Sequence, residues 1–576
     1  MKRTILLFLS SMLSIGSIFA DQEMRLSGAA VRMDEYSVFE VPSSDASLLT
    51  QTPSYPKADE TVTQKFVFSS SIKASAPISL RLAALGGKLK IKVGEGQATE
   101  YTVSESITKL TPVTLRSGVD NPRVEIDGAL IAIDCKGAQL TEIDCSSATE
   151  LQLLEVSENE LQRIDLSACA NLRYAYMMNN QIDILVVGQL RALEEFNVSF
   201  NKINSVDLRP LASLKSFSCD RNMVEDLDLS GNPLLENLYC KKNKIKSLDL
   251  SKQSKLTELS CEGNKIERLD LSHAPNLRTL YAKDNVMTSV DLSANRSLEE
   301  INLSSNKLSR LDTELCPQLL ELYCFDNELS ELNLDQNKQL TTLSCGGNML
   351  QRLDLSDLKS LESLSVSFNQ LEEIKLNGCS ALQSAALDHN NLKEMDFASC
   401  SSLMFVDISF NGFVGAKALE TVNSLPARSS ETPGVLVYLN KREYWQAISG
   451  PSRRQAVLVY LNKREYPEDE EHNELDEALL AAAKARCWTM LDGETPLSSE
   501  EVLPDRMRVY LADGGSQMLV EGAYESAMLF SVDGVVVSRL PAGQTQLSLS
   551  GLSRGHYILQ LRLPGGQSEV HKIVLR

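Results

Sequence analysis

The sequence predicts a parallel β-solenoid, a fold in which short repeats stack and share one long sheet. Leucine recurs every 21 residues from Leu130 to Leu403, without insertion or deletion across fourteen repeats. Asparagine follows eight positions later in thirteen of them. Alternating apolar residues between these two columns indicate a short strand with one face inward. A single repeat buries too little apolar surface to be stable, so the repeats must stack into a common core.

Each repeat is numbered here from its leucine as position one. In the repeat that begins at Leu235, Leu238 at position four and Cys240 at position six point inward, and Asn243 at position nine turns the chain. The asparagine amide both donates and accepts, so we expect a ladder of side chains that satisfies the backbone groups of successive turns. The predicted ladder comprises Asn159, Asn180, Asn201, Asn222, Asn243, Asn264, Asn285, Asn306, Asn327, Asn348, Asn369, Asn390 and Asn411.

Eleven of the 12 cysteines fall on the repeat frame, and six of these occupy position six. Neighbouring in-register strands hold Cβ atoms about 4.8 Å apart, outside the usual disulfide window of roughly 3.5–4.5 Å. We therefore expect buried free thiols rather than disulfides, the alternative in an exported protein. A linear column does not supply tetrahedral metal ligands, so neither a metal nor a cofactor is expected. The predicted thiol column includes Cys219, Cys240, Cys261, Cys324 and Cys345.

This pattern resembles the bacterial leucine-rich repeat, and cysteine in the strand with Leu-Asp-Leu-Ser after the turn is most similar to the internalin J type. The resemblance covers about 285 residues, within the predicted solenoid 129–413. It implies a leucine-rich repeat solenoid with a β-rich convex side, exported or on the cell surface, commonly serving adhesion.

The N-terminus has the pattern of a cleavable signal peptide, assigned to residues 1–20. Lys2 and Arg3 precede an apolar stretch from Ile5 to Ile18, and the following flank is acidic. A short membrane anchor is the alternative, but the segment is too short for it. No later stretch reaches about eighteen apolar residues, so we expect no transmembrane span in the exported protein.

Two segments are predicted to cap the solenoid. Residues 21–128 show the alternation of antiparallel strands and form a small β domain over the first edge. Residues 414–500 form the C-terminal cap, in which the ten residues Val435–Tyr444 return unchanged at Val457–Tyr466.

Residues 506–576 are predicted to form a separate β-sandwich. Gly555-His-Tyr-Ile-Leu-Gln-Leu561 and the terminal Lys572-Ile-Val resemble the C-terminal sorting domain of type IX secretion substrates in Bacteroidetes. The resemblance implies transport by that machinery to the outer-membrane surface, removal of the module and attachment to lipopolysaccharide. An ordinary terminal β-sandwich is the alternative.

Positions three, five, seven and eight are expected to line the concave face, where tyrosines recur beside lysine and arginine. Aromatic residues with arginine are typical of recognition surfaces, although tyrosine also tolerates an exposed strand well. We expect a local positive and aromatic patch. The candidate ligand-binding residues are Tyr174, Tyr176, Arg221, Tyr239, Lys241, Tyr281, Lys283, Tyr323 and Phe325.

The composition favours a binding protein over an enzyme. The net charge of −20 argues against nucleic acid as a partner, and the five histidines accompany no nucleophile motif. We predict a non-enzymatic adhesin that binds protein on a host cell or neighbouring bacterium through its concave face. Capture of a surface glycan or peptide by the tyrosine row is the alternative.

Overall fold

The computed structural model describes residues 64–428, 434–437, 477–486 and 488–491, and seven strands between 508 and 575. The predicted signal peptide, Cys487 and the second copy of the duplicated segment lie outside the described residues. Residues 58–440 together with 471–491 form one compact unit, and the strands from 508 onward belong to another.

Each repeat contributes one strand to a continuous parallel sheet, which confirms the predicted solenoid and its 21-residue spacing. The strands pair in register, so that Leu238 lies beside Leu259 and Leu259 beside Leu280. At about 4.8 Å per strand the fourteen strands extend roughly 65 Å. They are Leu130–Asp134, Leu153–Glu155, Tyr174–Tyr176, Glu195–Asn197, Ser216–Ser218, Asn237–Tyr239, Glu258–Ser260, Thr279–Tyr281, Glu300–Asn302, Glu321–Tyr323, Thr342–Ser344, Ser363–Ser365, Ser384–Ala386 and Phe405–Asp407.

One large hydrophobic core runs through the solenoid and into both ends of this unit. In one repeat, Leu235, Leu238, Cys240 and Ile245 are fully buried, and Leu248 is nearly so. Burying one such leucine stabilises the fold by about 1.5–3 kcal/mol, and each repeat covers the apolar side of the next.

The side opposite the long sheet contains strands in two stretches of the described chain. Elsewhere the Leu-Asp-Leu-Ser segment forms a turn, in which the Asp249 carboxylate accepts the backbone N–H of Ser251 at 2.9 Å. This hydrogen bond lowers the pKa of Asp249. The strands on this side are Leu140–Asp144, Arg163–Asp165, Ile184–Val186, Arg352–Asp354 and Glu373–Lys375.

The N-terminal β segment adds antiparallel strands to the first repeat. Ile78–Ala84 pairs with Leu130–Asp134, and Lys65–Ser70 pairs with Leu140–Asp144. The first edge of the long sheet is therefore paired rather than open to other chains. The segment contains Lys65–Ser70, Ile78–Ala84, Lys88–Val93, Thr99–Thr102, Thr111–Leu115 and Arg123–Asp127, with a 3₁₀ turn at Leu85–Gly87.

The long parallel sheet continues beyond the last asparagine by two strands. Gly434–Val437 pairs with Phe405–Asp407 and with Trp488–Leu491. The helices Gly415–Ser424 and Glu477–Ala485 precede these two strands. The first copy of the duplicated segment therefore begins inside the sheet, a role that its sequence alone did not reveal.

The C-terminal residues form two antiparallel sheets. The first sheet contains Arg508–Ala512, Gln517–Glu521 and Gln546–Ser548. The second contains Ser526–Ser531, Val536–Pro541, Gly555–Arg562 and Ser568–Leu575.

No helix in the described part of the chain has the length and apolar character needed to cross a bilayer.

Candidate binding face

The outward side of the fourteen strands, formed by positions three, five and seven, is called the sheet face below. The asparagines at position nine fix the backbone next to these strands by hydrogen bonds. Nδ2 of Asn243 donates to the carbonyl oxygens of Cys219, one repeat earlier, at 2.9 Å and of Cys240 at 3.2 Å. Its Oδ1 accepts the N–H of Val224 at 3.0 Å. The same two contacts to the preceding repeat recur from Asn159 to Asn411, which keeps successive strands in register.

Position eight, just before the asparagine position, is left-handed in all fourteen repeats, with φ between 52° and 66°. Glycine fits this conformation without strain and occupies it at Gly137, Gly263 and Gly347, whereas a bulky residue there is unusual. The rings of Phe368, His389 and Phe410 stack at this position with centroids 4.1 and 4.3 Å apart. Stacking between successive repeats compensates the backbone strain at these bulky residues.

A second ladder, absent from the sequence prediction, lies at position nineteen. Nδ2 of Asn295 donates to the carbonyl oxygens of Leu271 at 3.1 Å and Ala274 at 2.8 Å. Asn232, Gln253 and Asn337 make the corresponding contacts. Asparagine, glutamine and cysteine share this position irregularly with alanine and leucine, so the column does not stand out in the sequence.

The eleven cysteines on the repeat frame are buried and carry no disulfide in the structure. Burial raises the pKa of Cys240 well above its ordinary value and that of Cys324 to about 12. These thiols are therefore protonated and poor nucleophiles. No three His, Cys, Asp or Glu side chains of the described residues cluster as metal ligands.

The tyrosine row of the sheet face is paired with a glutamate row. The Tyr239 hydroxyl donates to Glu258 at 2.8 Å, across the boundary between two repeats. Tyr176 and Tyr281 donate in the same way to Glu195 and Glu300. Burial and the adjacent carboxylates raise the pKa of Tyr281 above its ordinary value. The rings are half-buried and fixed in position, so ordering them on binding costs little entropy.

Tyr323 makes its hydrogen bond within its own repeat rather than to the next one. Its hydroxyl donates at 2.8 Å to Glu321 of its own strand, because the next repeat has Thr342 in place of a glutamate. Burial raises the pKa of Glu321. Position three therefore decides where each tyrosine points, a relation that the tyrosine spacing alone does not contain.

The other candidates contact neighbours on the face. Lys241 lies 3.8 Å from Glu262, and Lys283 lies 3.8 Å from Asp284. The Lys283 ammonium is 5.7 Å from the ring centre of Phe325, which is only 8% exposed. These lysines form intramolecular ion pairs, and Phe325 supplies little accessible surface.

Arginine side chains cover two further aromatic rings. The guanidinium of Arg221 lies 5.4 Å from the ring centre of Phe200, and that of Arg173 lies 5.3 Å from the ring centre of Tyr174. Arg221 is at position eight, on the rim beside the sheet face rather than among the tyrosines. The predicted residues thus share one side of the sheet without forming a single cluster.

The expectation of a positive patch is wrong, because the sheet face is acidic. Positions three, five and seven hold ten carboxylates and three amines over the fourteen repeats. The glutamates at position three already indicate an acidic face in the sequence, but the prediction of a positive patch considered only the tyrosines and the basic residues. The carboxylates are Asp134, Glu155, Glu195, Asp220, Glu258, Glu262, Glu300, Glu321, Asp388 and Asp407, and the amines are Lys136, Lys241 and Lys283.

Comparison with known proteins finds similar solved structures but no family. No protein-family model and no curated protein matches the chain. The functional domain of InlJ from Listeria monocytogenes, described as including a cysteine ladder, is 21% identical with a TM-score of 0.49, covering 80% of this chain and 94% of that one. The internalin InlF from Listeria monocytogenes is 22% identical with a TM-score of 0.41, covering 51% and 85%. YopM of Yersinia pestis is 27% identical with a TM-score of 0.41, covering 46% and 73%.

These sequence identities and TM-scores are too low to assign the functions of these proteins to this chain. The assignment as a leucine-rich repeat solenoid rests on the chain's own geometry: the 21-residue spacing, one strand per repeat and the asparagine ladder.

Proposed function

We propose that this chain is an exported, non-enzymatic scaffold that binds a protein through the sheet face, which we assign to the concave side of the solenoid. The observation that carries the proposal is the row of tyrosines whose hydroxyls are fixed by glutamates of the neighbouring strands. Fixed aromatic side chains on a long, regular sheet suit recognition of a large surface, because little flexibility is lost on binding.

The finer proposal is an adhesin displayed on the bacterial surface. The N-terminal signal pattern and the C-terminal resemblance to type IX sorting domains support export and attachment to lipopolysaccharide. The partner is then a protein on a host cell or on a neighbouring bacterium. Protease shaving of intact cells tests the location, because a surface protein is cleaved while periplasmic markers survive.

The binding test uses the full chain on beads, incubated with biotinylated surface proteins of host cells and of other bacteria. The variant carries Tyr239→Ala, Tyr281→Ala and Tyr323→Ala. Its matched control carries Met223→Ala, Leu315→Ala and Met349→Ala, three exposed apolar residues away from the sheet face. We expect the control to retain the captured protein and the tyrosine variant to lose it.

Equal capture by both variants would exclude the tyrosine row as the binding site. A glycan array provides the test of the alternative function. Binding to immobilised glycans, together with no captured protein, would favour the glycan-capture function over the adhesin.

A further inference from the structure

The charges at the edge of the sheet face neutralise one another. Position two, just before each strand, alternates in sign: Glu194 pairs with both Arg173 and Lys215, and Arg278 pairs with Glu299. These arginine and lysine side chains at the edge are therefore already bound to carboxylates of their own edge, as Lys241 and Lys283 on the sheet face are bound to Glu262 and Asp284.

The glutamates beside the tyrosines have no such partners. Among the described residues, no lysine, arginine or histidine forms an ion pair with Glu195, Glu258, Glu300 or Glu321. Each receives a tyrosine hydroxyl instead. A neutral hydroxyl orients a carboxylate but leaves its negative charge, so the row offers fixed charges to a cationic partner.

The spacing of the row restricts the shape of the partner. Tyr239, Tyr281 and Tyr323 recur every second repeat, about 10 Å apart at about 4.8 Å per strand. A polyproline II segment has three residues per turn and a rise of 3.1 Å, so every third side chain returns after about 9.3 Å. In a β-strand, side chains on one face repeat at about 6.7 Å, which does not match.

We propose that the partner presents an extended segment with lysine or arginine at every third residue, running along the solenoid across the tyrosine–glutamate pairs. This inference rests on the proposed function of the sheet face. The spacing is met by the pairs Tyr239–Glu258 and Tyr281–Glu300, whose carboxylates are two repeats apart. There each cation meets a carboxylate and the neighbouring tyrosine ring, which combines an ion pair with a cation–π contact. Glu321 lies on the strand next to Glu300 and adds negative charge to the second of these sites.

The test measures fluorescence anisotropy of labelled peptides with the full chain at low and physiological salt. One peptide repeats Lys-Pro-Pro, a second has the same composition with its lysines clustered, and a third repeats Glu-Pro-Pro. We expect the regularly spaced lysine peptide to bind about tenfold more tightly than the clustered one, and binding to weaken with salt. The glutamate peptide should not bind.

The variant carries Glu258→Gln, Glu300→Gln and Glu321→Gln, since glutamine retains an acceptor for each tyrosine hydroxyl. The control carries Glu225→Gln, Glu267→Gln and Glu331→Gln, three exposed carboxylates elsewhere that change the net charge equally. We expect about tenfold weaker binding of the spaced peptide for the variant and no change for the control, with unchanged circular dichroism for both.

Equal affinity of the two variants would overturn the proposed site, and equal affinity of the spaced and clustered peptides would overturn the proposed spacing. Bead capture separates this inference from the proposed function. If a captured protein is lost with the tyrosine variant but retained by the glutamine variant, the sheet face binds a partner of different chemistry. If the tyrosine variant retains it, the tyrosine row is not the binding site, and the proposed function loses the observation that carries it.

Discussion

Asn243 donates its side-chain amide to the carbonyl oxygen of Cys219, one repeat earlier, and so connects the backbone of two turns within the core. Asn243→Ala removes this hydrogen bond and deprives the Val224 N–H of its acceptor. We expect the mutation to cost about 3 kcal/mol, since each lost hydrogen bond contributes about 1 kcal/mol and buried polar groups remain unpaired. Urea unfolding measures the loss. The exposed Asn204→Ala is the control, and equal midpoints for the two variants would contradict the ladder's contribution.

The buried thiols lead to a second prediction. Because all eleven frame cysteines are buried, and burial raises the pKa of Cys240 well above its ordinary value, iodoacetamide at mildly basic pH should leave all eleven unmodified in the folded chain. After unfolding in guanidinium without reductant, all eleven should react. Peptide mass spectrometry resolves each site, and any frame cysteine that stays unreactive until reductant is added would show a disulfide.

The close approach of two turns makes one glycine sensitive to substitution. A Cβ at Gly231 would lie 2.2 Å from the carbonyl oxygen of Arg209, whereas a Cβ at Gly412 would come no closer than 3.4 Å to a flexible lysine side chain. We expect Gly231→Ala to destabilise the chain by about 1–3 kcal/mol and Gly412→Ala to have little effect. Thermal melting compares the two. A Gly231→Ala variant with the melting temperature of the wild type would show that the turns separate easily.

The carboxylate of Asp220, on the sheet face, should make the stability of the fold depend on pH. Burial raises the pKa of Asp220 to about 6, against about 3.9 in an unfolded chain. The folded state therefore binds more protons between these two values, and its stability falls as the pH rises through that interval. Above pH 6 the full cost of the buried charge is present.

Asp220→Asn removes this cost while keeping an acceptor for the Lys241 N–H, which lies 2.6 Å from the carboxylate. We expect about 1–2 kcal/mol of stabilisation at pH 7 and none at pH 4. Denaturation at the two pH values measures the difference, with the exposed Asp226→Asn as control. An equal effect at both pH values would assign the change to packing rather than to charge.

Much of the architecture can be predicted from local sequence patterns. The leucine and asparagine columns predicted fourteen stacked strands, because a one-dimensional repeat brings each residue beside its equivalent in the next repeat. The second ladder at Asn232 and Asn295 was missed, because polar and apolar residues share that column. The strand Gly434–Val437 was missed because it follows a change from the 21-residue frame to helices.

By itself the sequence determined the repeat length, the inward-facing leucines and the positions of the tyrosines and glutamates, since these depend on spacing along the chain. Only the tertiary structure decided that Tyr239 bonds across the repeat boundary to Glu258, whereas Tyr323 bonds within its own strand to Glu321. It also decided which lysines pair with neighbouring carboxylates. The physical reason is that hydrogen bonds and ion pairs of side chains depend on what the adjacent turn presents a few ångströms away, and that contact exists only after the repeats have stacked.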